Sequence, residues 1–364
     1  MIGIFRRLTG FDWVLLGCVF LLFSIGMAAL YSIGLGKEPQ DFYFFQKQGL
    51  TFLAGFVALI VFSVLNYRKI KNYSIPIYVL SCLLLGTVLF LGRTVRGTRG
   101  WFYIGSFGFQ PVELAKIGLV LMLAFYMNRY ARQISQFRHF LASAGLAAIP
   151  IALVMLQPDF GSALLLFFIW LGMVIMSGIP KKYLALIGLS SLVLLVCAWF
   201  FLFKPYQKDR VLTFINPSQE VAGRSYNVRQ SLIAIGSGQW FGKGLGFGSQ
   251  SHLKFLPENQ TDFIFAVISE ELGLMGVLSI LFLWGVFFYR LTVLMRRARD
   301  DFALFTCMGI MFIFIIQIAV NVGGNLGLLP ITGIVLPFLS YGGSALVAEL
   351  ILVGIAESVA AHTG

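Results

Sequence analysis

The sequence predicts an all-α polytopic integral membrane protein, with about ten transmembrane helices and a large extracytoplasmic loop between helices 7 and 8, as a single transmembrane domain over residues 1–364. Three observations predict it. Apolar residues make up 59% of the chain and charged residues 12%, for a mean hydropathy of +0.88. The apolar residues fall in runs of roughly 17 to 25, the length with which a helix crosses about 30 Å of hydrocarbon. Basic residues crowd alternate connections, as the positive-inside rule requires.

In order, the spans cover about residues 13–32, 48–66, 75–91, 112–127, 142–156, 160–177, 184–203, 263–289, 302–322 and 335–358. Arg6 and Arg7 before the first run, and Ala28 and Ala29 late in it, imitate a signal peptide. Its length and the spans behind it favour an uncleaved helix. Arg68, Lys69 and Lys71, then Arg129, Arg132 and Arg138, Lys181 and Lys182, and Arg290, Arg296, Arg297 and Arg299 fall on the same side as Arg6 and Arg7. That side is predicted to be cytoplasmic, with both termini in it.

This pattern excludes disorder and a soluble globular fold, since such spans would expose more apolar area than water tolerates. The net charge of +12 follows from positive-inside loops facing anionic headgroups. No basic tail or aromatic-basic interleaving points to nucleic acid. Cys18, Cys82, Cys197 and Cys307 lie in apolar runs without CxxC spacing and read as small buried hydrophobes.

The outer connections carry the unusual residues. Arg93, Arg96 and Arg99 sit in "GRTVRGTRGWFYIGSFGFQP", on the face where few cations are expected, which suggests a phosphate-bearing ligand. Asp159, after Gln157 and Pro158 in a very short turn, caps the sixth span or binds a ligand. The long loop 204–261 holds one helical pattern, with Val228, Leu232, Ile233 and Ile235 beside Arg229, Gln230 and Ser231, read as a short amphipathic helix at the membrane interface. Gly242, Gly244, Gly246 and Gly248 lack the Lys-Ser or Lys-Thr pair and the strand-turn-helix context of a phosphate loop.

Ionised groups inside spans cost most and need a reason. Glu113 and Lys116, at i,i+3 near the start of the fourth span, form an internal salt bridge by default; their depth also suits the lining of a cavity. In "LPENQTDFIFAVISEELG", Asp262 opens the eighth span, which outreaches the bilayer core, so its first turns stand at the outer interface. It serves equally as an N-cap, shared with Thr261, or as a general base beside an apolar wall. Glu270 and Glu271, two turns deeper, need a polar interior or a partner cation. The Gly, Pro, Asn and Ser residues of "NVGGNLGLLPITGIVLPFLSYGGSALVAE" predict broken or closely packed helices.

"LPENQTDFIFAVISEELG", "GTRGWFYIGSFGFQPVELAK", "QPDFG" and "LPITGIVLPFLSYGGSAL" resemble, in order and over essentially the whole chain, the signature segments of the SEDS family (shape, elongation, division and sporulation). The short termini and "SYGGSAL" resemble its rod-shape branch. The resemblance implies a glycosyltransferase of the bacterial plasma membrane that polymerises lipid II into peptidoglycan strands. It also implies a class B penicillin-binding protein as transpeptidase partner, and other membrane proteins of the elongation machinery. The last two spans are implied to carry partner surface.

The resemblance makes Asp262 the catalytic residue. The expected chemistry is removal of a proton from the 4-hydroxyl of the acceptor GlcNAc, which attacks C1 of the donor MurNAc with inversion. Arg99, Lys116 and Arg210 are the candidate cations for the leaving pyrophosphate. Glu113, Asp159, Glu270, Glu271 and Ser340 complete the candidate substrate-binding set. No metal-ligand cluster is visible and no cofactor is certain from the sequence; a divalent cation, Mg²⁺ or Mn²⁺, could share the role of these cations. A lipid-precursor flippase, with Glu113 and Lys116 on a translocation path, and a noncatalytic scaffold remain as alternatives.

Overall fold

The structure is a computed structural model that describes residues 10–363 except 37–38, 96, 106, 131–132, 134–135, 198, 201–207, 209–223 and 249–255. Its helices are α1 (Trp13–Leu35), α2 (Tyr43–Val64), α3 (Tyr67–Asn72), α4 (Ser74–Leu91), α5 (Pro111–Tyr130), α6 (Phe137–Leu156), α7 (Phe160–Met176), α8 (Lys181–Cys197), α9 (Arg224–Ser237), α10 (Ile264–Arg297), α11 (Asp301–Asn325) and α12 (Gly343–Thr363). All ten expected spans are present as helices. Among the described residues, eight helices are long and apolar enough to cross a bilayer, and α7 is a shorter apolar one. The chain is therefore a multi-pass membrane protein.

Starts of helices follow local chemistry. Asp12, Asp159 and Asp300 each accept a hydrogen bond from a backbone N–H three residues on, those of Leu15, Ser162 and Ala303, which removes one orphan donor from each helix start. Asn66 does the same for α3 through the N–H of Arg68.

Packing sets α12 against α2, α4 against α5, and α10 against both α1 and α11. The α2–α12 crossing is close because it uses glycine: a Cβ on Gly354 would stand 2.5 Å from the Leu59 carbonyl oxygen and 3.0 Å from its Cα. Helices in lipid gain no hydrophobic drive toward one another, so such close contact supplies dispersion instead. Of the two last spans, α12 is buried along most of its length.

At the end of the bundle where α1 and α11 begin, Arg290 of α10 grips Asp12 with Nε (3.0 and 2.7 Å to the two carboxylate oxygens) and Nη2 (2.7 Å). The Asp12 N–H donates to Glu357 of α12 at 2.8 Å. Three helices are thus tied by one charged group.

Three features depart from expectation. The connection 93–109 is a three-stranded antiparallel sheet, β1 (Arg93–Val95), β2 (Thr98–Ile104) and β3 (Phe107–Phe109), in order β1-β2-β3, so the fold is all-α apart from this sheet. Its turns sit at Gly97 and Gly105, with φ of 85° and 61°. The final span begins at Gly343, not near 335; Pro330, Pro337 and the glycines keep 326–342 out of helix. Helix α10 runs to Arg297 and is broken at Gly273.

The crossing at Gly354 generates a test. Gly354→Leu forces backbone apart at α2 and should cost about 1–3 kcal/mol, read as a lower melting temperature in detergent. Gly86→Ala, where an added Cβ meets nothing within 4 Å, should leave it unchanged or raised.

Candidate active site

Asp262 lies in a turn, 257–263, that precedes α10. The helix is capped at Phe263 without a side-chain hydrogen bond, so Asp262 is not its N-cap. Glu258, at φ 55°, aims one carbonyl at three amides: the N–H groups of Thr261, Asp262 and Phe263 donate to it at 3.1, 3.1 and 3.4 Å.

Three other segments hold this turn. On α11, Asn321 and Asn325, one helical turn apart, donate from Nδ2 to the Asp262 carbonyl at 3.3 and 2.9 Å. Ser340 Oγ donates to the Thr261 carbonyl at 2.7 Å and accepts from the Leu336 N–H at 2.9 Å. The Tyr341 N–H donates to the Gln260 carbonyl at 2.8 Å. Segment 336–342 is itself held by Gln48 of α2, whose Nε2 donates to the Ser340 carbonyl at 3.0 Å. Glu349 of α12 takes the Phe338 N–H at 3.1 Å, while the Phe338 ring packs with Trp284, Phe287 and Phe314.

The half-buried Asp262 side chain lines a small cleft with Asn321, Asn325, Ile331, Thr332 and Gly333. A backbone fixed by this many hydrogen bonds anchors the root of the Asp262 side chain beside the cleft.

The other predicted residues are distributed around this centre. Asp159 caps α7, accepting from Ser162 N (3.0 Å) and Oγ (2.8 Å). Its turn reaches the cleft, since a Cβ on Gly161 would press on Thr332 at 2.9 Å. Arg99 is exposed and uses its fork on the last carbonyls of α4, Nε to Gly92 at 3.0 Å and Nη2 to Phe90 at 2.6 Å. Glu113 and Lys116 form a buried 2.5 Å ion pair inside the bundle, off the cleft. Arg210 lies outside the described residues, as does Arg96.

Glu270 and Glu271 end the first part of α10. Glu270 Oε1 is 2.7 Å from Lys243 Nζ, and Glu271 Oε1 accepts from Ser32 Oγ at 2.5 Å. The segment 238–244 clasps the break in α10: the N–H groups of Lys243 and Gly244 donate to the Glu270 and Glu271 carbonyls at 3.0 and 2.9 Å, and the Gln239 and Trp240 carbonyls accept from Leu274 and Met275 at 2.8 and 3.1 Å. Gly273 (φ 66°) and Gly242 (φ 75°) are required here, because a Cβ on either would strike the other strand of the clasp. Beside it, α9, the clasp, α10 and the end of α11 line an open apolar recess of about 760 Å³.

Sequence reasoning missed Asn321, Asn325, Gln48 and Glu349 as the residues that build the site. Their signal was present, as uncharged amides and a carboxylate inside apolar runs, where each polar group needs a partner.

The fold and site define a multi-pass membrane protein with a backbone-locked carboxylate at the head of a long, broken helix. Residues 12–364 match the family model described as cell cycle protein, of the FtsW, RodA and SpoVE type, and the chain belongs to that family, the one its motifs resemble. It is 36% identical to stage V sporulation protein E of Bacillus subtilis, over 98% of each chain. It is 35% identical to peptidoglycan glycosyltransferase MrdB of Escherichia coli, over 98% of this chain and 96% of that one. A solved structure titled for the coordination of polymerization and crosslinking by a peptidoglycan synthase complex superposes with a TM-score of 0.81 at 32% identity, covering 97% of this chain and 98% of that one.

Ser340→Ala should leave the Leu336 N–H and the Thr261 carbonyl without their shared partner, at a cost of about 1–3 kcal/mol. Hydrogen–deuterium exchange should then quicken in 256–263 while α4 and α5 keep wild-type protection.

Proposed function

We propose that this chain is a peptidoglycan glycosyltransferase that polymerises lipid II on the outer face of the bacterial plasma membrane, in cell elongation and shape maintenance. Its relatives are named for that activity. The observation that carries the mechanism is the Asp262 turn: a carboxylate at a membrane-helix end whose backbone is fixed by Asn321, Asn325 and the 336–341 segment. Both termini face the cytoplasm in this reading, which puts the sheet, α9 and the Asp262 turn outside.

Asp262 takes the proton from the 4-hydroxyl of the acceptor GlcNAc as that oxygen bonds to C1 of the donor MurNAc. The bond from C1 to the phosphate oxygen breaks with inversion, and the polyprenyl pyrophosphate departs with the electron pair. One carboxylate is enough, because a pyrophosphate leaves without being protonated and needs positive charge instead. Arg99 and Arg210 are the outer-face candidates for that charge. Lys116, buried against Glu113, serves it only where the bundle opens toward the substrate.

Among the described residues no three His, Cys, Asp or Glu side chains group as a metal site. A divalent cation would therefore be of the Mg²⁺ kind, held largely by the substrate's own phosphates with one carboxylate from the protein. A class B penicillin-binding protein crosslinks the strands as they emerge. Other membrane proteins of the elongation machinery complete the assembly.

The test is polymerisation of purified lipid II by the full chain with its penicillin-binding partner, transpeptidation blocked. Asp262→Asn should lower the rate by about 10²–10⁴-fold with the melting temperature unchanged. Equal glycan from both proteins would remove the general-base role. No glycan from either, with lipid II flipped across vesicles, would favour translocation; neither activity would leave a scaffold.

A further inference from the structure

Glu349 stands in the second turn of α12, inside the bundle, with 2% of its surface exposed. Lys116 and Glu113 of α5 and Gln317 of α11 face its carboxyl group, and all three are buried as well. An ionisable group at such depth is costly. Packing alone would be served as well by an apolar side chain of the same volume, so the carboxyl answers to the group it reaches. That group is the Phe338 N–H, which donates to Oε2 at 3.1 Å.

Phe338 needs holding. Its φ of 60° is a left-handed conformation that a bulky side chain rarely adopts and that persists only where the surroundings enforce it. The ring packs on Trp284 and Phe314, with centroids 5.8 and 5.4 Å away, and the amide is fixed by Glu349. The turn around it is closed on itself: the Leu339 and Ser340 N–H groups donate to the Leu336 carbonyl at 3.2 and 2.9 Å, and Ser340 Oγ accepts from the Leu336 N–H. Toward α1 there is no slack, since a Cβ on Gly26 would stand 2.6 Å from the Leu339 carbonyl oxygen. From this turn Ser340 and Tyr341 reach the carbonyls of Thr261 and Gln260, the two residues before Asp262.

We infer that Glu349 is a positioning residue for the reaction at Asp262: through the Phe338 amide it sets the 336–341 turn, and through Ser340 and Tyr341 the place of the Asp262 turn beside the cleft. This rests on the reading of Asp262 as the reacting carboxylate. Glu349 touches no substrate in this role, so its loss should slow the chemical step and leave substrate binding as it is. Its effects on stability oppose each other, because a methionine there removes a buried carboxyl and orphans one amide.

The experiment compares Glu349→Met, Glu349→Gln and Glu357→Met with the wild type, all as the full chain, by lipid II polymerisation with the penicillin-binding partner, by melting temperature and by hydrogen–deuterium exchange. Glu349→Met should lower kcat by about 10- to 100-fold, the scale of a small misplacement of a reacting group, with KM for lipid II and the melting temperature unchanged and exchange quickened in 257–263 and 336–341. Glu349→Gln keeps an oxygen for the Phe338 N–H and should restore both kcat and protection. Glu357→Met removes the matching carboxyl at the other end of α12, the acceptor for the Asp12 N–H, and should leave exchange in 257–263 as it is. Wild-type kcat in Glu349→Met, or a loss shared equally by Glu349→Gln, would overturn the assignment. A fall in kcat that tracks a lower melting temperature, or that leaves exchange in 257–263 untouched, would overturn it too. Exchange reports on the turn without turnover. Protection lost from 257–263 in Glu349→Met, with a wild type that makes no glycan, would therefore sink the enzyme reading alone, and wild-type rate and exchange in Glu349→Met of an active chain would sink this one alone.

Discussion

Everything at the Asp262 end depends on one constraint: a backbone amide or carbonyl at membrane depth must find a partner in the protein, because hydrocarbon offers none. Among the described residues, 238–244 and 326–342 both leave helical geometry near this end. Each is answered group by group. The clasp around Gly273 exchanges main-chain hydrogen bonds in both directions with the broken ends of α10. The second stretch is met by side chains from three helices and by one of its own: Asn321 takes up the Ile334 carbonyl at 2.9 Å, Gln48 the Ser340 carbonyl, Glu349 the Phe338 amide, and Ser340 the Leu336 amide.

The same accounting explains why so many polar residues sit in the core of so apolar a chain. Gln48, Asn321, Asn325, Ser340 and Glu349 are all buried. A buried polar group is costly when unpaired and rigidifying when satisfied. Here the group that benefits is a catalytic candidate. Asp262 enters the network through its backbone, its N–H donating to the Glu258 carbonyl and its carbonyl accepting from Asn321 and Asn325, and its side chain is half-buried in the cleft.

Much of the fold was legible because lipid simplifies the code. Long apolar runs have one solution in a bilayer, so helices α1, α2, α4 to α8, α10 and α11 match the runs that predicted them to within a few residues at most ends. The same simplicity misled where a run was apolar but not helical: Ile334 to Leu339 reads as the start of a span by hydropathy, and Pro337 with Phe338 at φ 60° breaks it. The small sheet was legible in principle, through "TRGWFYIGSFGF" with β-formers between glycine turns. Of the site, Asp262 stood out because a charge at a span's head is rare. The amides that fix it did not, because an asparagine in a helix announces a need for a partner without naming one. Pairings 59 to 292 positions apart, such as Asn321 to Asp262 and Gln48 to Ser340, are properties of the packed bundle.

The broken helix also bears on how the protein is made. The clasp, 238–244, precedes α10 in the chain, so a ribosome delivers the glycine strand before the helix whose severed ends it completes. Had the order been reversed, α10 would enter the bilayer with the Glu270 and Glu271 carbonyls and the Leu274 and Met275 amides waiting on residues not yet synthesised. Sequence order here doubles as assembly order, and a circularly permuted chain that placed the clasp last would keep every native contact while inviting misinsertion at this one helix.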